Sequence, residues 1–245
     1  MQRLCRWLLA AEALLCSALV QAASPSAFSN ASAGAAPAPW RVIGLPERYA
    51  KPLTQFEVVD LSGSKVLRVK ADQAWGTLAF SSAVPEPVLP QSTLKWRWRL
   101  DVGLPLASLS RKATEDAALK VCVSFDMPAD NIPSGERALF KFVQFLSRDK
   151  LPTATLCYVW AHKETVGHTL ASPVTNRVRY IVVANSNTSL QTWHVLERNI
   201  HVDFLKAFGH EAAIVPAWSA IIIGADSDNT AGSSTGYVGD MLLVP

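Results

Sequence analysis

Eight consecutive residues, Leu94-Lys95-Trp96-Arg97-Trp98-Arg99-Leu100-Asp101, alternate apolar and charged side chains without a break. A period of two is the pleat of a β-strand; a helix would repeat every three to four residues. The alternation puts Leu94, Trp96, Trp98 and Leu100 on one face and Lys95, Arg97, Arg99 and Asp101 on the other. Such a strand belongs to a sheet with one dry and one wet side. Two tryptophans on the dry side need a second layer to bury them.

Similar runs recur along the chain. Residues 56–60 and 65–70 flank Ser62-Gly63-Ser64, a hairpin signal. Further strands are expected over 75–82, 118–126, 140–147, 154–161, 177–185, 192–199, 218–225 and 236–244. About eleven short strands separated by turn-rich loops imply an all-β fold, an antiparallel two-sheet sandwich of the jelly-roll or concanavalin-like kind. A helix is expected only over 201–208, where Val202, Leu205 and Phe208 share helical spacing and Gly209 can end it.

The ends divide the chain further. Residues 1–22 carry Arg3 and Arg6, then an apolar stretch, then Val20-Gln21-Ala22, the pattern of a cleaved secretory signal. The apolar stretch is too short for a comfortable membrane span and no second one follows, so the mature chain is expected to lack an integral membrane span. Residues 23–39, nearly all Ala, Ser and Pro, read as a disordered spacer, and residues 40–245 as a single domain. The expected location is periplasmic or secreted. Without Arg3, Arg6 and Glu12, the 23 basic and 20 acidic residues become 21 and 19, a near-balance that argues against nucleic acid as a partner. Cys122 and Cys157 remain in the mature chain, each inside a strand. An exported protein permits a bridge only if the two strands are neighbours, and two separate buried thiols are the favoured reading.

Trp96-Arg97-Trp98-Arg99, Glu115-Asp116, Tyr158-Val159-Trp160, Glu197-Arg198-Asn199, Asp203-Phe204, Asp226-Ser227-Asp228-Asn229-Thr230 and Gly239-Asp240 together resemble the domain of unknown function 3047 family. The resemblance covers most of the chain from about Trp40 onward. It implies an exported bacterial protein with a sandwich similar to carbohydrate-binding ones, and it carries no mechanism. The acidic pair expected as two Asp is Glu115-Asp116 here.

Candidate functional residues fall into two sets. Arg97, Arg99, Asp116, Trp160 and Arg198 are the candidate ligand-binding residues, since guanidinium forks pair with carboxylates or sulfates and an indole stacks on a sugar ring. Asp226, Asp228, Asn229 and Asp240 offer oxygens of the kind that hold calcium as a structural ion. The alternatives are an Asx-turn loop serving its own backbone, or an ion pair in which Arg198 reaches that loop. Trp96 and Trp98 belong to the core, whereas Trp75 and Trp193 are ambiguous. The histidines lack zinc spacing, and neither a nucleophile elbow nor a phosphate-binding glycine loop is present. Catalytic residues are therefore unassigned. The leading expectation is a binding module for an oligosaccharide, an acidic glycan or another polar envelope ligand. The rivals are a polysaccharide lyase or glycoside hydrolase on the same scaffold, and a domain that binds another protein.

Overall fold

A computed structural model describes residues 25, 27–46, 49–146 and 151–245, with the side chains of 142–146 excepted. The expected signal, residues 1–22, lies outside the described residues. In chain order the elements are β1 (Gly34–Ala35), β2 (Arg41–Ile43), β3 (Gln55–Leu61), β4 (Ser64–Asp72), β5 (Trp75–Glu86), β6 (Thr93–Val102) and β7 (Leu119–Phe125). Then follow α1 (Ser134–Leu146), β8 (Ala154–Trp160), β9 (Thr169–Ala171), β10 (Val178–Ala184) and β11 (His194–Asn199). The chain closes with α2 (Ile200–Phe208), β12 (Trp218–Asp226), β13 (Ser233–Val238) and β14 (Leu242–Val244).

These strands make two stacked sheets, the sandwich that the alternating pattern implies. Sheet A runs β1-β3-β4-β13-β6-β11, with β14 continuing beside β6 beyond the end of β13. Sheet B runs β2-β5-β12-β7-β8-β10-β9. Pairing between named strands is antiparallel except for β8 with β10, whose connection carries β9 out to the sheet edge. The hairpin turns on Ser62 and Gly63, both at positive φ, and the Gly63 N–H donates to Asp60 Oδ1 at 2.9 Å.

The two tryptophans of β6 fill the space between the sheets. Trp96 lies 5.3 Å from Tyr158, Trp98 lies 5.6 Å from Trp160, and the two indoles meet edge-on at 5.8 Å. Both indole N–H groups are buried without an acceptor among the described residues. An orphaned donor costs about 1–3 kcal/mol. Burying an indole of 150–250 Å² returns about 4–6 kcal/mol at 25 cal/mol per Å², so apolar burial wins. At one end α2 closes the core with Phe204, 4.7 Å from Phe125 and 5.3 Å from Phe208. Its buried stripe is Ile200, Phe204, Ala207 and Phe208, whereas Val202 of the expected stripe is exposed.

Four expectations need correction. Residues 140–146 of the run expected as a strand over 140–147 belong to helix α1. A short apolar run fits either period, and here Pro133 accepts the first helical hydrogen bonds, from the N–H groups of Glu136 and Arg137. The expected single strand 236–244 is broken at Gly239 into β13 and β14. The stretch read as a disordered spacer is docked where it is described: Phe28 is wholly buried and packs 5.3 Å from Trp40, and β1 pairs with β3. One aromatic residue suffices to anchor a segment of otherwise uninformative composition. Finally, Cys122 and Cys157 face each other across β7 and β8, with Cα atoms 3.9 Å apart, and are bonded.

That bridge sits on the outer face of sheet B, in a second apolar cluster with Leu109, Val159, Tyr180 and Val182. Replacing both cysteines with serine is expected to cost about 2–4 kcal/mol in denaturant unfolding. The unreduced, denatured protein should titrate no free thiol at these two positions.

Candidate functional site

The outer face of sheet A carries the charged half of β6. Register places Glu57, Arg68, Tyr237 and Arg99 in one row across β3, β4, β13 and β6. Three of the cations on this face have acid partners. Arg68 pairs with Glu57, Lys95 with Glu197 at 2.9 Å, and Arg99 with Asp101 through 2.6 and 3.1 Å hydrogen bonds. The bond to Asp101 raises the already high pKa of Arg99. Arg97 differs. Among the described residues it has no carboxylate partner, and its guanidinium stacks 4.7 Å above the Trp193 ring.

A backbone detail seats Arg97. At the break between β13 and β14 the Gly239 N–H donates to the Arg97 carbonyl at 2.9 Å. A Cβ on Gly239 would stand 2.7 Å from both Cγ and Nε of Arg97. The absent side chain leaves a trough in which the arginine lies flat. Asp240 holds the next position by accepting from the N–H and Oγ of Ser29, at 2.9 and 2.5 Å.

At the end of the sandwich, where β6 and β8 stop and β7 begins, is a cavity of about 270 Å³. Leu100, Leu104, Ala118, Trp160 and Leu190 supply apolar wall, and Asp116, His162 and Ser186 supply polar atoms. Asp116 is 1 % exposed and holds the loop after β12 in place. It accepts from the Asn229 N–H at 3.2 Å, the Thr230 N–H at 2.7 Å and the Thr230 hydroxyl at 2.6 Å. Its neighbour Glu115 accepts from the Tyr180 hydroxyl at 2.7 Å, which gives its longer side chain a use.

The five candidate ligand residues therefore do not share one groove. Arg97 and Arg99 lie on the sheet A face, and Asp116 and Trp160 on the cavity. Arg198 is engaged elsewhere: its Nε and Nη2 bind Asp203 at 2.9 and 2.6 Å, and Tyr158 donates to the same carboxylate at 2.9 Å. Arg198 does not reach the 226–230 loop, because α2 begins directly after it and presents Asp203 first. Burial alone would lower the Arg198 pKa, but the bonds to Asp203 outweigh it and raise it.

The four candidate calcium ligands are likewise committed to protein partners. Asp226 accepts from the Lys120 ammonium at 2.8 Å and the Ala117 N–H at 3.2 Å, and burial raises its pKa in spite of that lysine. Asp228 lies 3.3 Å from the Lys51 ammonium, and Asn229 donates to the Glu115 carbonyl. Asp240 stands a strand length away, on Ser29. A calcium ion on the loop would have to displace two ammonium groups. Among the described residues no group of three or more His, Cys, Asp or Glu side chains is placed to hold a metal.

Sequence reading passed over Tyr237 and Lys120, used Gly239 only in the family resemblance, and left Trp193 undecided. Only pairing across strands shows that Trp193 lies beside Arg97, or that Gly224 leaves room for Lys120 to reach Asp226. Tyr158 provides a check on the buried polar core. Burial is the largest of the effects holding its phenol well above the usual value near 10, with Asp203 adding to it. Its stabilising contribution is whole below pH 10 and is lost as pH rises above that, because the unfolded phenol ionises first. Tyr158→Phe should cost about 1.5–3 kcal/mol at pH 8 for the lost charge-assisted bond. It should also make stability fall less steeply above pH 10, as urea unfolding at several pH values would show.

Comparison with known proteins places these features in a family. No curated protein matches the sequence. Among solved structures the fold is similar to a β-1,2-glucanase from Parabacteroides distasonis, at 11 % identity and a TM-score of 0.36, covering 84 % of this chain and 22 % of that one. It is also similar to the cellulose-induced protein Cip1, at 11 % identity and a TM-score of 0.35, covering 84 % of this chain and 90 % of that one. An agarase matches at 9 % identity and a TM-score of 0.35, over 91 % of this chain and 26 % of the agarase. The chain thus spans about a quarter or less of the two enzymes. The model of the family described as "Protein of unknown function (DUF3047)" matches residues 38–242, which include both sheets' central strands, the Arg97 face and the Asp116 loop, and the chain belongs to that family.

Proposed function

We propose that the protein is an exported, non-catalytic module that binds an acidic glycan across the outer face of sheet A. The observation that carries this reading is Arg97: a half-buried arginine, stacked on Trp193, seated by Gly239 and lacking an acid partner among the described residues. Such a group is oriented in advance for a carboxylate, since part of its side-chain entropy is already spent.

The rest of the face narrows the ligand. Glu57, Asp101 and Glu197 lie among the cations and would repel a polymer with a charge at every step, such as a nucleic acid. They suit a chain whose hydroxyls donate to these acids while an occasional carboxylate reaches Arg97. Export is supported by the Cys122–Cys157 bridge, a bond typical of oxidising compartments. A non-catalytic role is supported by the state of three carboxylates that a glycoside hydrolase on this scaffold could use. Glu115 and Asp116 are bound into the fold, and Glu197 is paired with Lys95.

The test is calorimetric titration with polygalacturonate in which most carboxylates are methyl-esterified and the rest free, with its fully methyl-esterified form, and with double-stranded DNA. The partly esterified polygalacturonate should bind, and the neutral ester and DNA should bind at least tenfold more weakly. Arg97→Gln should reduce affinity for polygalacturonate about ten- to hundredfold, as expected for about 1.5–3 kcal/mol from one charged hydrogen bond. Binding unchanged by Arg97→Gln would overturn the reading, and so would release of unsaturated or reducing ends from polygalacturonate.

A further inference from the structure

Two loops that meet on the outer side of sheet B carry exposed cations that the fold leaves without an acid. We infer that this surface docks on a lipid bilayer rich in anionic headgroups, with Leu106 and Val166 entering the boundary between headgroups and acyl chains. The inference goes beyond the glycan reading and concerns the side of the sandwich away from Arg97.

The joint between the loops is well defined. Glu164, in the connection from β8 to β9, accepts from two groups of the connection from β6 to β7: the Ser108 hydroxyl at 2.9 Å and the Leu109 N–H at 2.8 Å. Leu109 packs in the cluster around Cys122 and Cys157, so the joint lies over the outer face of sheet B. A residue spans at most about 3.3–3.6 Å of extended chain. Leu106 and Val166 are each two residues from the joint, and Arg111, Lys112 and Lys163 no more than three. They therefore share one patch. Lys206 of α2 joins it, its ammonium donating to the Gly167 carbonyl at 3.0 Å.

Charge comes first in selecting the partner. Elsewhere Arg68, Lys95, Arg99, Lys120, Arg177 and Arg198 each have a carboxylate. Arg111, Lys112 and Lys163 are exposed and have none among the described residues. The acids of the same two loops are turned inward: Glu164 onto Ser108 and Leu109, Glu115 onto Tyr180, and Asp116 onto Thr230. All three are at most 9 % exposed. The surface thus presents cations, with the carboxylates beneath it.

The apolar groups then separate a bilayer from other polyanions. On the same patch Leu106 is 66 % and Val166 51 % exposed. Aliphatic tips beside lysine and arginine suit a membrane interface, where apolar groups leave water and the cations meet anionic lipid. Neither loop offers a Trp, Tyr or Phe on which a sugar or a base would stack.

The experiment is co-sedimentation of the purified protein with vesicles of phosphatidylcholine alone, and of phosphatidylcholine with an equal part of phosphatidylglycerol. The anionic vesicles should bind at least about tenfold more tightly, and added salt should weaken that binding. Each cation near an anionic surface contributes about fivefold, so Arg111→Gln, Lys112→Gln and Lys163→Gln together should weaken binding about hundredfold. Leu106→Ser with Val166→Ser should weaken it about tenfold, which a purely ionic contact would not show. These positions are all exposed, so both variants should keep the parent melting temperature and polygalacturonate binding. Arg97→Gln should leave vesicle binding unchanged. The inference falls if anionic vesicles bind no better than neutral ones, or if the triple variant keeps its affinity. It falls too if the Leu106→Ser, Val166→Ser protein binds vesicles unchanged, and displacement by polyphosphate would then assign the patch to a soluble polyanion. Those outcomes leave the acidic-glycan reading intact, because that reading is measured on Arg97.

Discussion

The structure depends on the contact of Trp96 and Trp98 with Tyr158 and Trp160 across the space between the sheets. Aromatic pairs of this kind add about 0.5–1.5 kcal/mol each beyond the area they bury. Their larger effect is on register. Shifting β6 by one residue would carry both indoles into solvent and bring Lys95, Arg97 and Arg99 into the core. The core thereby fixes which way Arg97 points, so packing on one side of the strand determines the chemistry displayed on the other.

Around that apolar centre lie buried polar clusters that hold segments distant in sequence. Glu211, with a side chain 2 % exposed, joins Arg177 at 2.6 Å and Arg179 at 2.7 Å, fastening the start of β10 to the chain after α2. Asp203 gathers Arg198 and Tyr158, and Asp116 gathers the loop after β12. Buried ion pairs add little net stability against well-packed apolar substitutes, yet removing one member typically costs 3–5 kcal/mol. They specify geometry more than they strengthen it. The acidic loop at 226–230, which reads in sequence as an ion site, follows this pattern: its carboxylates and amide are used within the fold.

The pattern of β6 was fully legible, because a period of two over eight residues has one interpretation, and the outward arginines and inward tryptophans follow from it. Most other strands were legible for the same reason. Residues 134–146 were not, since a short apolar run is consistent with either period and a proline before it is a weak signal. Nor was the bond between Cys122 and Cys157, which requires β7 and β8 to be neighbours in that register, a long-range pairing that composition does not encode. The same limit applies to the site. Arg97 could be selected as an outward cation, but its partner Trp193 lies just before β11, and Gly239, which makes room for it, in the break between β13 and β14. Asp116 and Trp160 line one cavity, but Arg198, grouped with them in sequence, is bound by Asp203 of α2.

The junction of Ser29 with Asp240 has a consequence for what counts as one folding unit. Recognisable similarity begins at residue 38, but Phe28 is buried against Trp40, and Ser29 closes on the residue beside the glycine that seats Arg97. A chain trimmed to the region of similarity would lose an aromatic plug worth about 3–5 kcal/mol in comparable cores. It would also lose the tie that steadies the arginine's trough. The physical module therefore starts upstream of its evolutionary signature, in a segment that one phenylalanine and one serine tie to the fold.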